Sequence, residues 1–435
     1  AEGAAVVLRL LVPAAMLLAG ACAPSARDLG RQAFFRHDYT AAREHFEQSA
    51  QNGGKDYVLH RLELATVMFE QGDYEAAEAV LLEATKIMRG VSGELEGTVS
   101  LIAHESAKQF KGDPFEKAMA NFYCGLIFYA KGDYGNARAG FMQAAMADKA
   151  GSDEEFQDDF AIANYFAGRC SIKMHEYDNA RVLFERARAA QPGNRYFAEE
   201  ALDDNVIFVL QLGMAPVKIR TGPGGSLDDY SRGHYRETGA NVWADDAMLG
   251  SSAPGVDLLH QAKTSSRTVK DTIQTAKGVV KEGLFAAAVM TDDNKTSLML
   301  ALAALLFPSG ADIRQWDLLP GEIHVVTARL KPGRYTIRID FFEENRRLQD
   351  YEQVWENVEV LDDADTLLVF RSGSGKQGGT MGVTQAGSGD TGAPAEPAEP
   401  VETDASEPAS TEQPAEPAAG ETNPPSNVGT TDQED

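Results

Sequence analysis

Four times in the first half of this chain a tyrosine is followed three residues later by alanine and four further on by a bulky apolar residue. The copies are Tyr39/Ala42/Phe46, Tyr74/Ala77/Leu81, Tyr134/Ala137/Phe141 and Tyr177/Ala180/Phe184. Spacings of three and four place each set on one face of a helix. Two copies are introduced by Gly-Asp, one by His-Asp and one by His-Glu. Glycine there lets the chain reverse, aspartate caps the helix that follows, and tyrosine fills the wedge between the two helices. Gly30, Gly125 and Gly168 each stand nine residues before a tyrosine, where two helices in close approach need a small residue. A recurrence of this kind predicts stacked helical hairpins, each burying its apolar face on the next.

Together these positions resemble the tetratricopeptide repeat. The step from Tyr39 to Tyr74 fits its period of about 34 residues. The step from Tyr134 to Tyr177 is longer, with the excess in the acidic stretch 151–159. The step from Tyr74 to Tyr134 has room for an additional helix near 95–110. The aromatic residues within the helices read mainly as core. A minority on the concave side, between Leu62 and Tyr177, would form an exposed stripe for a partner peptide.

The formal net charge is -26, from 66 acidic and 40 basic residues, which argues against nucleic acid as a partner. Of the three cysteines, Cys22 closes an apolar stretch that follows Arg9 and ends Leu18-Ala-Gly-Ala-Cys22. This resembles a lipoprotein signal with its lipobox, and lipidation at Cys22 would anchor the chain to a bacterial membrane; an ordinary secretory signal is the alternative. Ala23 is not the aspartate that retains many lipoproteins at the inner membrane, so the expected location is the outer membrane, facing the periplasm. Cys124 and Cys170 read as buried free thiols, with a disulfide as the alternative.

Beyond Asn205 the pattern changes. Residues 206–212 form a β-branched run, and 215–225 read as a turn-rich loop. Residues 257–307 look helical, and their apolar run from Leu298 to Phe307 suits a buried helix or a membrane contact. Stretches 322–330, 334–342, 353–361 and 366–371 read as strands of a small antiparallel module completed by 206–212. The acidic pair Asp203-Asp204 and the turn Asp362-Asp-Ala-Asp365 read as solvated. From Gly373 onward the Ala-, Glu- and Pro-rich composition predicts disorder. The resulting class is α+β: signal segment 1–21, helical repeat domain 22–204, mixed helical and antiparallel β domain 205–371, and disordered acidic tail 372–435.

Three further segments, Lys111-Gly-Asp-Pro-Phe-Glu116, Gly213-Met-Ala-Pro-Val-Lys218 and Asp312-Ile-Arg-Gln-Trp-Asp-Leu-Leu-Pro320, resemble a family of bacterial tetratricopeptide lipoproteins over residues 22–371. The resemblance implies an envelope protein without an assigned enzymatic activity. Members are sometimes encoded near lipoproteins that activate peptidoglycan synthases. Alternation in Asp312, Arg314 and Trp316, ahead of Pro320, suits a lock at a domain junction, with an Arg–Asp pair and the guanidinium over the indole; a ligand site is the alternative.

No residue pattern points to a catalytic group, a cofactor or a metal. The expected function is a lipid-anchored scaffold that binds another envelope protein through its helical array. The alternative is a glycan- or small-ligand-binding lipoprotein, accessory to peptidoglycan synthesis, with a pocket near Trp243, Trp316 and Arg314.

Overall fold

The computed structural model describes residues 24–51, 54–89, 109–149, 160–222, 225–264, 284, 286–287, 311–361 and 364–373. Cys22, most of the stretch 95–110, the acidic stretch 151–159, the run 298–307 and everything from 374 onward lie outside them.

Four helical hairpins open the fold. They are α1 (Ala26–Phe34) with α2 (Tyr39–Gln51), α3 (Tyr57–Glu70) with α4 (Tyr74–Arg89), α5 (Pro114–Ala130) with α6 (Tyr134–Lys149), and α7 (Ala161–Lys173) with α8 (Tyr177–Ala190). Each second helix begins on a repeat tyrosine. The turns share one conformation: the residue two before the tyrosine is left-handed, at φ 76° and 75° in Gly72 and Gly132 and at φ 61° and 62° in His37 and His175. Histidine is strained there where glycine is not. In both cases the imidazole Nδ1 contacts the hydroxyl of the repeat tyrosine, at 3.1 Å to Tyr39 and 3.2 Å to Tyr177. The carboxylates of Asp38, Asp73 and Asp133 accept the N–H of the residue three further on, so each caps its second helix.

Within each hairpin the two helices meet through a pair 16 residues apart. A Cβ added to Gly30 would lie 2.9 Å from Phe46, one on Gly125 2.6 Å from Phe141, and one on Gly168 2.7 Å from Phe184. In the remaining hairpin the same positions hold Ala65 and Leu81, both buried. A larger first-helix residue is thus matched by a smaller one on the second. Ala42, Ala77, Ala137 and Ala180 are buried beside these pairs, and Cys124 and Cys170 are buried free thiols.

The C-terminal half holds β1 (Val206–Leu212), β2 (Val217–Thr221), β3 (Leu227–Ser231), β4 (Gly239–Ala244), β5 (Ala247–Ser251) and β6 (Ala253–Asp257). After α9 (Leu258–Thr264) come β7 (Glu322–Ala328), β8 (Gly333–Glu343), β9 (Arg346–Arg347), β10 (Gln353–Val360) and β11 (Thr366–Arg371). One sheet has the order β11-β1-β7-β6, a second runs β10-β8-β4-β5 with β9 against β8, and β2 pairs with β3 alone. Two expectations are corrected. The module is larger than five strands and not wholly antiparallel, because β1 and β11 run parallel. Residues 215–225 are no mere loop, since β2 lies within them and pairs with β3; its five residues between Pro216 and a glycine-rich turn gave too short a run to stand out as a strand.

Three layers result: helices, first sheet, second sheet. Alternation assigns the faces. On β1 and β11, Gln211 and Arg371 face the helices, while Phe208 and Phe370 stack at 6.4 Å on the opposite face, where Trp355 of β10 meets Phe370. The first sheet is therefore covered on both faces, which accounts for the unbroken apolar runs of β1 and β11, all of whose residues are buried. The second sheet has Ile337, Ile339 and Phe341 inward and Arg338 outward; Asp340, also outward, is buried beside Arg338 and Arg347.

The Gly–Phe pairing yields a direct test. Gly168→Ala should destabilise the chain by about 1–3 kcal/mol through overpacking. Adding Phe184→Leu should recover part of that loss, copying the Ala65–Leu81 arrangement. A double-mutant cycle in urea measures the coupling, and strictly additive losses would contradict it.

Candidate functional site

Each first helix of a hairpin carries polar or ionisable side chains that turn toward the C-terminal half, on a largely buried surface in α3, α5 and α7. Buried charge requires a partner, and most of these partners come from distant segments. On α1, Arg27 forms a fork with Glu63 of α3, with Nη2 2.7 Å from Oε1, and reaches Asp317 Oδ2 at 2.7 Å and the Gln315 carbonyl at 3.0 Å. Gln211 of β1 donates to Glu70 of α3 at 3.1 Å and accepts from Tyr123 of α5 at 2.6 Å. On α7, Arg169 donates to the carbonyls of Leu202 and Asp204 and to Asp365 at 2.6 Å. Asp365 also meets Lys173 at 2.8 Å and the Tyr129 hydroxyl.

Asp365 is thus a buried ion-pair member, and the reading of this residue as solvated is corrected: opposing charge is available inside. Burial works against its ionisation, but Arg169 and Lys173 outweigh that and hold its pKa below the usual range. Asp204 likewise accepts from Thr327 at 2.5 Å and is not simply solvated.

The three segments that carry the family resemblance converge at one junction. Asp113 precedes Pro114 at the first turn of α5, a favoured place for proline. Glu116 takes the Asp113 N–H on Oε2 and the Trp316 N–H on Oε1, each at 2.6 Å. Lys218 Nζ lies 2.6 Å from Asp113 and 2.9 Å from Asp228, while its backbone N–H donates to the Gln315 side chain. Trp316 is 1% exposed; its indole N–H donates to Thr66 at 2.9 Å and its ring lies 5.9 Å from that of Tyr123. Asp312 and Arg314 pair at 2.5 Å, and Arg314 continues to Asp56 at 2.6 Å. Pro320 is buried just ahead of β7.

Several expectations change at this point. Residues 311–316 belong to no strand. The Arg314 guanidinium lies over Phe110, at 5.9 Å, rather than over Trp316, because the indole turns away to Thr66. The concave stripe expected to stay open for a partner is occupied by the chain itself, with Phe69, Leu126 and Ile127 facing Leu367 and Val369 of β11. Trp243 lies on the outer face of the second sheet, a layer away from Trp316 and Arg314, so the pocket expected among these three does not form. Repeat residues Gly30, Tyr39, Tyr74, Tyr134 and Tyr177 mark hairpin contacts and turns rather than a shared site.

The sequence reading passed over Arg27, Glu63, Glu116, Lys218 and Arg169. Glu116 and Lys218 had a visible signal, since each ends a segment bearing the family resemblance.

Two clefts flank the junction. One of about 230 Å³ is lined by Arg169, Lys173, Asp204, Asn205, Arg329 and Asp365. Another of about 130 Å³ is lined by Phe34, His37, Tyr39, Tyr235, Tyr351 and Arg371, among others. Among the described residues no group of three or more His, Cys, Asp or Glu could hold a metal, and no helix is long and apolar enough to cross a membrane.

The buried glutamates give the fold a pH dependence. Burial, reinforced by Asp113, raises Glu116 from 4.5 to about 7, and burial raises Glu63 to about 7 against the pull of Arg27. A carboxyl whose pKa is higher folded than unfolded binds more protons in the folded state, so its contribution is complete below 4.5 and lost as pH rises toward 7. Asp365, Asp312 and Glu322, whose pKa values are lowered, lose their contribution at the acid end instead. The share of the thermal unfolding midpoint due to these glutamates should therefore fall between pH 5 and pH 8, against the opposite trend of His37 and His60, whose pKa values burial lowers, and Glu116→Gln should remove its part of that slope whatever its effect on absolute stability. An unchanged slope in the variant would contradict the assignment.

The chain matches no family profile and no curated protein. Among solved structures it is similar to MamA, at 16% identity over 38% of this chain and 76% of that one, TM-score 0.28. YrrB, a TPR protein with an unusual peptide-binding site, matches at 18% identity over 46% and 85%, TM-score 0.29. The TPR2AB domain of yeast Sti1 matches at 11% over 38% and 76%, TM-score 0.20. At such identities and TM-scores the likenesses support no argument about the site.

Proposed function

We propose that this chain is a lipid-anchored scaffold of the bacterial cell envelope, tethered through Cys22 to the outer membrane, facing the periplasm and binding another envelope protein. The observation that carries the reading is the short reach from Cys22 to the folded body. Ser25, three residues on, already caps α1 in a capping box with Asp28, and Arg27 already locks α1 onto Glu63 and Asp317. Three residues span at most about 10 Å. A lipid on Cys22 would hold the body close against the membrane, with one face fixed outward. Because the inner face of the helices is closed, partner contact falls on the outside of the body.

Cys22→Ala should move the chain from the membrane to the soluble fraction without changing its unfolding midpoint. Crosslinking in intact cells should recover an envelope protein with the lipidated chain. Membrane retention of the Cys22→Ala chain would refute the anchor, and absence of any specific crosslink would refute the scaffold.

The aromatic cleft at Tyr39, Tyr235 and Tyr351 favours a second reading, a glycan- or small-ligand-binding lipoprotein accessory to peptidoglycan synthesis. Tyrosine rings and hydroxyls beside Arg371 and His37 suit a polar ligand with an apolar face. Peptidoglycan fragments should then raise the unfolding midpoint of the wild-type chain and not that of Tyr351→Ala. No shift in the wild type would remove this reading.

A further inference from the structure

The second sheet carries one row of side chains straight across its outward face. Val354 of β10 lies opposite Arg338 of β8, Arg338 opposite Trp243 of β4, and Trp243 opposite Met248 of β5. Directly opposed residues of antiparallel strands share a face, and at the usual strand spacing four strands make a row about 15 Å wide. Its two ends are open to solvent, with Val354 49% and Met248 46% exposed, the largest exposed apolar side chains of this sheet.

The centre of the row holds a fixed cation. The Arg338 guanidinium carbon sits 4.6 Å from the centre of the Trp243 ring. Among the described residues Arg338 makes no hydrogen bond, and its buried Nε has no hydrogen-bond partner. Its Nε forms a long ion pair with Asp340 Oδ2 at 3.6 Å, while Arg347 holds the other oxygen of that carboxylate at 2.5 Å. Arg347 also pairs with Glu352 at 2.5 Å, so both carboxylates beside the row are already engaged. A stacked guanidinium has little rotamer freedom left to lose, and its donors lie in the fork geometry that matches a carboxylate.

We propose that this row is a docking surface for a protein segment presenting an aspartate or glutamate between apolar side chains. The carboxylate takes the free donors of Arg338, and the apolar neighbours cover Val354 on one side and Met248 on the other. Tryptophan, arginine and methionine are enriched at such interfaces, and a desolvated charge pair ringed by apolar contact is a strong anchor. A sugar ring fits the row less well, because the guanidinium already covers one face of the Trp243 indole. The inference rests on the scaffold reading above and assigns its contact surface.

A random heptapeptide library displayed on phage, selected against the full chain and depleted on the Arg338→Gln chain, tests it. The recovered peptides should carry Asp or Glu flanked by apolar residues. Their affinity should fall at least about tenfold for Arg338→Gln, the loss of one charged hydrogen-bonded contact, and fall as well for Val354→Asp. Both variants change partly exposed side chains and should keep the wild-type unfolding midpoint; Val354→Asp remains decisive if Arg338→Gln does not. Recovery of no peptide that distinguishes wild type from these variants, or of peptides lacking a carboxylate, overturns the proposal. An envelope protein crosslinked equally well by Arg338→Gln and wild type would also overturn it while leaving the scaffold reading intact.

Discussion

Three of the four first helices, α3, α5 and α7, are buried around most of their circumference, and a single row of hairpins would leave one face of each of them bare. Everything else in the structure follows from how that face is covered. On α3, eleven of fourteen residues are buried, including Glu63, Thr66 and Glu70. A helix with no polar side cannot lie at a surface. The first sheet and the segment leading into β7 meet this need, filling the concavity that a free helical array would offer to a partner. The repeats thus act here as half of a core, and the sheet that completes it comes from the same chain.

Covering that face with apolar contacts alone would leave its register loose, since smooth surfaces can slide. The polar groups at the boundary fix it. Glu116 joins the start of α5 to the Trp316 backbone, Arg27 joins α1 to Asp317, and Arg169 joins α7 to Asp365. Buried ion pairs contribute little net stability once desolvation is counted, yet removing one partner is strongly unfavourable. Their effect is to make one docking of helices on sheet far better than any shifted one. The raised pKa values of Glu63 and Glu116 reflect the desolvation this entails.

The hairpins were legible because their signals are local: tyrosine, alanine and turn residues lie within a few positions of one another. The strands β7, β8, β10 and β11 were legible for the same reason, each being a long β-rich run between clear turns. Strands β2 to β6 were not, since they are five or six residues long and are broken by Gly239, Gly250, Pro254 and Gly255. The parallel pairing of β1 with β11 joins segments at opposite ends of the C-terminal half and leaves no local trace. One clue to the layering was present and went unused: a strand apolar on both faces, like Val206–Leu212, belongs in the middle of a structure rather than at its edge. The junction was legible only in part. Trp316 and Arg314 stood out as a lock, but the choice of Thr66 over Arg314 as the indole's neighbour depends on helices more than 200 residues earlier.

Filling the concavity has a consequence for the outer layer. Once the inner helical face and both faces of the first sheet are buried, the second sheet is the β layer that keeps a face to solvent, as the second helices of the hairpins do on the other side. Its composition differs from that of a face selected only for solubility. Such a face would carry paired charges across its width, as Arg347 does with Asp340 and Glu352. Instead its central cation is stacked on an indole, left without a hydrogen bond and flanked by exposed Val354 and Met248. The Arg338 Nε is held near the buried Asp340 carboxylate at 3.6 Å, shared with Arg347, and the rest of the guanidinium keeps donors that no group of the described residues takes.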